Sequence, residues 1–419
     1  MNIENIKLDI DFVRSQFPTF KNSVAKNWSF FENAGGSYVP KQVINRLTEF
    51  MISTKVQPYA DYPMSKIAGQ NMDKAINLFT KMINANSNEI LIGPSTSSNL
   101  YVLSNALKKF INKGDEVIVT NQDHEANISP WRRLVEKGAK IREWKFNTKT
   151  GELEIEKLKK LLNRKTKILA VTHCSNIIGS VNNLKLISKL AHEYNVIVIG
   201  DGVSYAPHGL PDVKDLDVDF YTFSLYKTYG PHLGLLYGKQ KILKKLPNQN
   251  HEFLKNQYPY TINPGGPNHE ELASLIGIYE YFETLYKQHF YKEEKNIRKK
   301  INKLNNIFTK HEENIAELLL DYLGKNKNFR LLGSNNIENK KRAPTISFVS
   351  KKKSSKFLSN YLVSKKIATR NDNFYAWRCL KAFGIDQTDG VVRISMVHYN
   401  TKKEVENLIN KLIYFDKKY

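Results

Sequence analysis

Cysteine is nearly missing from this chain: 419 residues hold only Cys174 and Cys379. They stand 205 positions apart with no partner at ligand spacing, which excludes a disulfide framework and a paired-cysteine zinc site. Histidine supplies no metal motif either. His173, His208 and His232 stand singly, and neither His251-Glu252 nor His269-Glu270 continues into His-Glu-x-x-His, so no metal is expected. No run of eighteen apolar residues occurs, which leaves no candidate membrane helix. Residues 1–10 are charged rather than signal-like, and the expected location is cytoplasmic. Acidic residues are scarce beside basic ones, 41 against 64, giving a net charge of +23. The lysine clusters at 241–245, 298–300 and 351–353 lie among abundant Asn and Ile, as a chain-wide bias with solvated helix faces produces. A basic surface for nucleic acid is the competing reading, but no nucleic-acid fold or aromatic-interleaved basic motif accompanies the charge. At 41% hydrophobic residues, a chain of this length buries a substantial core, expected as one large and one small domain.

The most informative stretch is Ser224-Leu225-Tyr226-Lys227-Thr228-Tyr229-Gly230, followed by Pro231-His232-Leu233-Gly234. It sets one lysine in a tight turn just after an apolar strand. A lysine amine becomes a useful nucleophile when burial or a neighbouring cation lowers its pKa, and a Schiff base with an aldehyde cofactor is its commonest catalytic use. Upstream, Val196-Ile197-Val198-Ile199 reads as a buried parallel strand ending in Gly200-Asp201-Gly202. In open α/β sheets that end is where ligands bind. A carboxylate there, with a lysine a short distance on, is the pair that pyridoxal phosphate needs: one keeps the pyridine nitrogen protonated and the other holds the aldehyde.

Three further segments add to the pair. Gly93-Pro94-Ser95-Thr96-Ser97-Ser98-Asn99 follows a short apolar run and opens a helical pattern at Leu100, Leu103, Ala106 and Leu107. Such a loop reads as a phosphate cradle or as an ordinary hydroxyl N-cap. Val117-Ile118-Val119-Thr120 is a strand leading to Asp123-His124-Glu125-Ala126-Asn127, where a histidine can stack on a flat ring or be a polar loop residue. Ile168-Leu169-Ala170-Val171-Thr172-His173-Cys174-Ser175-Asn176 is another strand, ending in an amide able to donate to a phenolic oxygen.

In chain order, from about Phe30 onward, these pieces resemble the class V aminotransferase and cysteine desulfurase-like family of fold-type-I pyridoxal phosphate enzymes. The resemblance also takes in the entry segment Phe30-Phe31-Glu32-Asn33-Ala34-Gly35-Gly36-Ser37-Tyr38-Val39-Pro40 and Gly390-Val391-Val392-Arg393. It implies that pyridoxal 5'-phosphate is the cofactor, that Lys227 forms the Schiff base, that Asp201 pairs with the pyridinium nitrogen and that His124 stacks over the ring. Asn176 and Ser204 would address the ring oxygen, and Thr96, Ser97, Ser224 and Tyr226 would hold the phosphate. Arg393 would grip the carboxylate of a small amino-acid substrate, with Asn33 and Tyr375 as further substrate contacts; a planar fork suits a carboxylate. A homodimer is implied, with residues 57–64 as a candidate partner contact, and so is a possible sulfur-acceptor protein. Membrane association is not expected, nor is a nucleic-acid partner.

One departure bears on the reaction. Where desulfurases of this family carry a persulfide-forming cysteine, residues 367–376 place Tyr375, and a phenol holds no persulfide. Cys379 is expected one turn further on the same face of a helix over residues 375–383, either as a displaced nucleophile or as a buried small hydrophobe. The chain resembles the subgroup that has Phe-Tyr-Ala here, as Phe374-Tyr375-Ala376, and His-Tyr-Asn-Thr after the arginine, as His398-Tyr399-Asn400-Thr401. Tyr226 replaces a histidine before the lysine, Ser204 a glutamine, and Gly266 a threonine that a neighbouring subunit lends to the phosphate. Elimination, transamination and desulfuration through Cys379 remain open, as does a catalytically silent pyridoxal-binding or basic scaffold protein in sulfur or RNA metabolism.

The order of patterns predicts an α/β fold: a large, mainly parallel mixed sheet sandwiched by helices, plus a smaller α+β C-terminal domain. Residues 1–28 form an N-terminal arm and helix of the small domain, the helix over 11–20; residues 29–284 form the large cofactor-binding domain, and 285–419 the small one. Long helices are expected over 275–323, strands at 345–349 and 391–396, and helices over 354–364 and 402–412.

Overall fold

The computed structural model describes residues 6–337 and 341–419, so the first five residues of the predicted arm lie outside the described part. Thirteen strands occur among the described residues: β1 (Ser29–Phe30), β2 (Ile90–Gly93), β3 (Glu116–Thr120), β4 (Lys140–Trp144), β5 (Thr166–Thr172), β6 (Ile197–Asp201), β7 (Phe220–Ser224), β8 (Gly234–Gly238), β9 (Phe329–Leu331), β10 (Thr345–Ser350), β11 (Ile367–Ala368), β12 (Arg370–Asp372) and β13 (Val391–Ser395). Seven of them build one sheet in the order β2-β8-β7-β6-β5-β3-β4. The pairs from β7 to β4 are parallel, and β8 runs antiparallel between β7 and β2.

Alternation along these strands explains why helices cover both faces. Ile118, Leu169, Val198 and Tyr221 enter one core, while Val117, Ile168, Ala170, Ile199 and Phe220 enter the other. Residues of a strand point alternately to opposite sides, so an apolar residue at every position demands cover above and below. Register then fixes the functional edge: Thr172 pairs with Asp201, and Asp201 with Thr222. The C-terminal ends of β5 and β6 are level, β7 runs two residues further to Ser224, and their loops open side by side.

The second sheet is small and antiparallel, β12-β13-β10-β9, and is packed by the 29-residue helix Ile297–Lys325 and the helices Ser355–Ser364 and Lys402–Lys418. Ser354 and Thr401 cap the latter two, Thr401 in a capping box with Glu404. Leu412 and Phe415 keep the apolar period, so the terminal helix runs six residues past the predicted 412. The chain's start returns to this end of the molecule. β1 pairs in parallel with β11, and Arg14 donates to the Tyr399 carbonyl at 2.9 Å and pairs with Glu404 at 3.2 Å.

Two predicted helices are shorter than expected. The one expected over 11–20 is the helix Ile10–Ser15 followed by a separate 3-10 turn, Pro18–Lys21, because Pro18 has no N–H to continue the ladder. The one expected over 375–383 is Trp377–Ala382, because Phe374 (φ 49°) and Tyr375 (φ 58°) are both left-handed. Among the described residues, no helix is long and apolar enough to cross a membrane.

Candidate active site

The level strand ends carry the chemistry. A cleft there encloses about 440 Å³ of empty space, part of it open to solvent, and is lined by Thr96, Ser97, His124, Asn176, Asp201, Ser204, Ser224, Tyr226 and Lys227, with Ala126, Thr172, Cys174 and Val203 between them. All nine residues expected to hold the cofactor therefore meet in one cavity. Lys227 closes the 3-10 turn Leu225–Lys227 directly after β7 and is only 7% exposed. Burial, reinforced by Arg393, lowers its amine from 10.5 to about 8. Asp201 ends β6; burial raises its carboxyl to about 6, opposed by the Val203 N–H that Oδ1 accepts at 2.9 Å and by the charge of Lys227. A Cβ at Gly202 would fall on the Tyr221 ring, so this position takes a glycine for space. Tyr221 in turn holds His173 Nδ1 at 2.8 Å, and His173 stacks on Tyr205 at 3.6 Å.

His124 leaves β3 through Thr120 and the fully buried Asp123, which is hydrogen-bonded to Thr120 and to Asn127 at 2.6 Å. Burial first, then the charges of Lys227 and Arg393, lower the imidazole to about 3. Its Nδ1 accepts the Ala126 N–H at 3.0 Å, which places the proton of the neutral ring on Nε2. Its ring lies 5.2 Å from that of Tyr375. At the other end of the cleft, Thr96 opens the helix Thr96–Leu107 and shares a 2.8 Å hydrogen bond with Ser224. A Cβ at Gly234 would run into the backbone at Ser95 and Thr96, so β8 and the hydroxyl loop touch backbone to backbone. Ser95 accepts from the Ser98 N–H at 3.1 Å and is the N-cap, which leaves Thr96 and Ser97 facing the cleft. Tyr226 stacks on His232 at 4.6 Å. Asn176 donates to the Phe374 carbonyl at 2.8 Å, while its Oδ1 is buried without a partner.

The three residues expected to touch substrate lie outside this lining. Arg393, on β13 and 2% exposed, donates from Nη2 to Glu32 at 2.7 Å and from Nη1 to the Asn176 carbonyl at 3.2 Å, and its guanidinium carbon lies 3.6 Å from the Phe374 ring centroid. It thus backs a residue of the cleft. Tyr375 stands at the mouth, 65% exposed, its carbonyl accepting from the Glu125 N–H at 2.7 Å. Asn33 faces the small domain: its amide donates to the Ser395 carbonyl at 2.7 Å and to Asn400 at 3.1 Å, and its oxygen accepts from Tyr399. Cys379 corrects the expectation of one face shared with Tyr375. It is 0% exposed in the helix Trp377–Ala382, on the core side, and Tyr375 precedes that helix. Burial raises its thiol far above the ordinary range. Gly265 and Gly266, both left-handed, have open space around their Cα positions and do not line the cleft.

Sequence reasoning missed Glu32 and Phe374 as members of the site. Glu32 lies inside the entry segment 30–40, but its partner Arg393 is 361 residues away, and no local signal joins them.

Comparison with known proteins finds relatives along nearly the whole chain. The model of the family described as aminotransferase class-V matches residues 29–408. An aminotransferase-like protein FGM3 of Gibberella zeae is 36% identical over 96% of this chain and 96% of its own length. A cysteine desulfurase-like protein ustD of Aspergillus flavus is 30% identical over 98% of this chain and 91% of its own. Among solved structures, the apo cysteine desulfurase of Thermococcus onnurineus superposes with a TM-score of 0.85 over 99% of this chain and 100% of that one; at 21% identity this similarity speaks to the fold.

Proposed function

The chain belongs to the class-V aminotransferase family, and from that membership we propose a pyridoxal phosphate-dependent enzyme that acts on an amino acid through Lys227. The observation that carries the reading is the buried, pKa-lowered lysine in one cleft with a buried carboxylate, a neutral histidine and a hydroxyl loop at a helix start. Residues present fit the cofactor. The orphaned Oδ1 of Asn176 and the raised carboxyl of Asp201 are buried polar groups that a polar ring would satisfy, and the close approach of Gly234 to Ser95 leaves donors facing the cleft. Lys227 would hold the aldehyde, Asp201 the ring nitrogen, His124 a ring face, Asn176 and Ser204 the ring oxygen, and Thr96, Ser97, Ser224 and Tyr226 the phosphate. When bound, that group supplies the electron sink for carbanion chemistry.

The remaining work falls to the chain. Arg393 fixes the substrate carboxylate and so sets which bond at Cα is broken. Lys227 would be the base that takes the Cα proton and the acid that returns it, a role suited to an amine whose pKa is lowered to about 8. Phe374 backs Arg393, and Tyr375 stands beside the His124 ring. No thiol at the rim receives sulfur: Tyr375 is exposed there and Cys379 is sealed in the core. Cys174 lines the cleft but is 1% exposed, its Sγ donates to the Gly179 carbonyl at 3.4 Å, and burial pushes its thiol up to about 12. That favours C–S lyase chemistry, in which cysteine and water give sulfide, pyruvate and ammonia, over persulfide transfer; amino transfer shares the same residues. A sulfur acceptor protein would then receive free sulfide rather than a protein-bound persulfide. We place the enzyme in the cytoplasm as a homodimer, with the exposed Tyr59, Tyr62, Met64 and Ile67 at its interface.

The experiment is product analysis with L-cysteine and the reconstituted protein. Sulfide with stoichiometric pyruvate supports elimination, and sulfide with alanine overturns it in favour of desulfuration. Neither product, with a keto acid formed from another amino acid, assigns transamination.

A further inference from the structure

The arginine expected to grip the substrate is already holding a carboxylate, and that carboxylate belongs to the chain. Glu32 Oε1 accepts from Arg393 Nη2 at 2.7 Å and lies 3.4 Å from Arg370 Nε. The pairing is poor by the standard of a fork: Glu32 Oε2 and Arg393 Nε are both buried without partners, so one contact stands where two parallel ones are possible. Arg393 itself is fixed, pressed on Phe374 and bonded to the Asn176 carbonyl. Glu32 is the movable member. Its backbone is pinned beside Ser395, but its carboxylate folds over Gly35, where a Cβ would stand 2.5 Å from Oε1. Gly35 is not among the left-handed glycines, so it is not required for its backbone angle; the space it leaves is filled by the carboxylate.

We infer that Glu32 is a resident carboxylate which occupies Arg393 until the substrate displaces it onto Arg370, and that this makes the site selective for amino acids with a single carboxylate. The selectivity follows from the charge balance at Arg393. Arg393 and Arg370 face Glu32 and Asp372, with Arg370 Nη1 3.2 Å from Asp372, so the rim is balanced before substrate arrives. A substrate carboxylate that takes Arg393 shifts Glu32 to the half-exposed Arg370, which it already approaches. No free cation then remains for a second acid group, and an acidic side chain meets Glu32 instead. This inference rests on the reading of Arg393 as the substrate-carboxylate site.

The test is calorimetric binding of propionate and succinate, two carboxylates that cannot react, to the protein loaded with pyridoxal phosphate. Glu32→Gln keeps the shape and removes the charge; Gly35→Ala evicts the carboxylate by contact and serves as the second variant should the first fold poorly. Both are expected to bind propionate about tenfold more tightly than the unaltered protein, and succinate more tightly still. A gain in affinity is not a result that structural damage produces. Unchanged or weaker binding in both variants, with Arg393→Lys still weakening it about 30-fold, overturns the gate and leaves the Arg393 reading intact. Indifference of both acids to Arg393→Lys overturns the two together.

Discussion

The floor of the cleft around Lys227 and the short helix around Cys379 each bury a nucleophile, and the same physical cause has opposite results. Removing water disfavours the charged form of either group. For the lysine the charged form is the inert one, so burial brings the amine to about 8 and towards reactivity. For the cysteine the charged form is the reactive one, so burial drives the thiol away from it. A lysine at 7% exposure facing a cavity is therefore held ready as a neutral amine, whereas a cysteine at 0% exposure on the core side of a helix is held as an inert thiol. Counting nucleophiles in the sequence cannot make that distinction; the sign of the charge at risk can.

The comparison can be broken in four ways. Lys227→Ala should lower turnover by about a thousandfold or more, the scale of a lost general base together with its covalent anchor; steady-state kinetics decide it, and retained turnover removes the lysine from the mechanism. Next comes stability in the protein freed of cofactor. The unfolded amine titrates near 10.5 and the folded one at about 8, so between those values the unfolded chain binds more protons and stability rises with pH. The cost of burying the charge is present in full below pH 8. Relative to Lys227→Met, the unaltered protein should gain about 3 kcal/mol from pH 8 to 10.5, measured by denaturant unfolding. A flat difference contradicts the lowered amine. Arg393→Lys should weaken amino-acid binding by about 2 kcal/mol, roughly 30-fold, seen as a raised KM, because an ammonium does not reproduce the fork. Smallest is Cys379→Ala: sulfide release should stay within about twofold while stability falls by about 1 kcal/mol. Abolished release would reinstate Cys379 as the sulfur carrier.

Much of the floor was legible because strand ends leave marks in sequence. Val-Ile runs locate β3, β5 and β6, and the polar residues that close the last two, Thr172 and Asp201, stand level at the edge of the cleft. The rim was less legible, since contacts distant in the chain decide it. Phe374 and Tyr375 take left-handed angles that their side chains disfavour, held by Asn176 and Glu125 at their carbonyls, and no propensity over 375–383 reveals this. Asn33, expected to touch substrate, has its amide engaged by Ser395, Asn400 and Tyr399, more than 360 residues away. The pairing of Glu32 with Arg393 was hidden for the same reason.

The most direct measurement of the central claim is the visible absorption spectrum of the protein reconstituted with pyridoxal phosphate, beside Lys227→Ala treated identically, during titration with L-cysteine. A visible band that depends on Lys227 and shifts as the amino acid is added is the predicted result. Identical spectra from the two proteins, or a band indifferent to amino acid, would contradict the account.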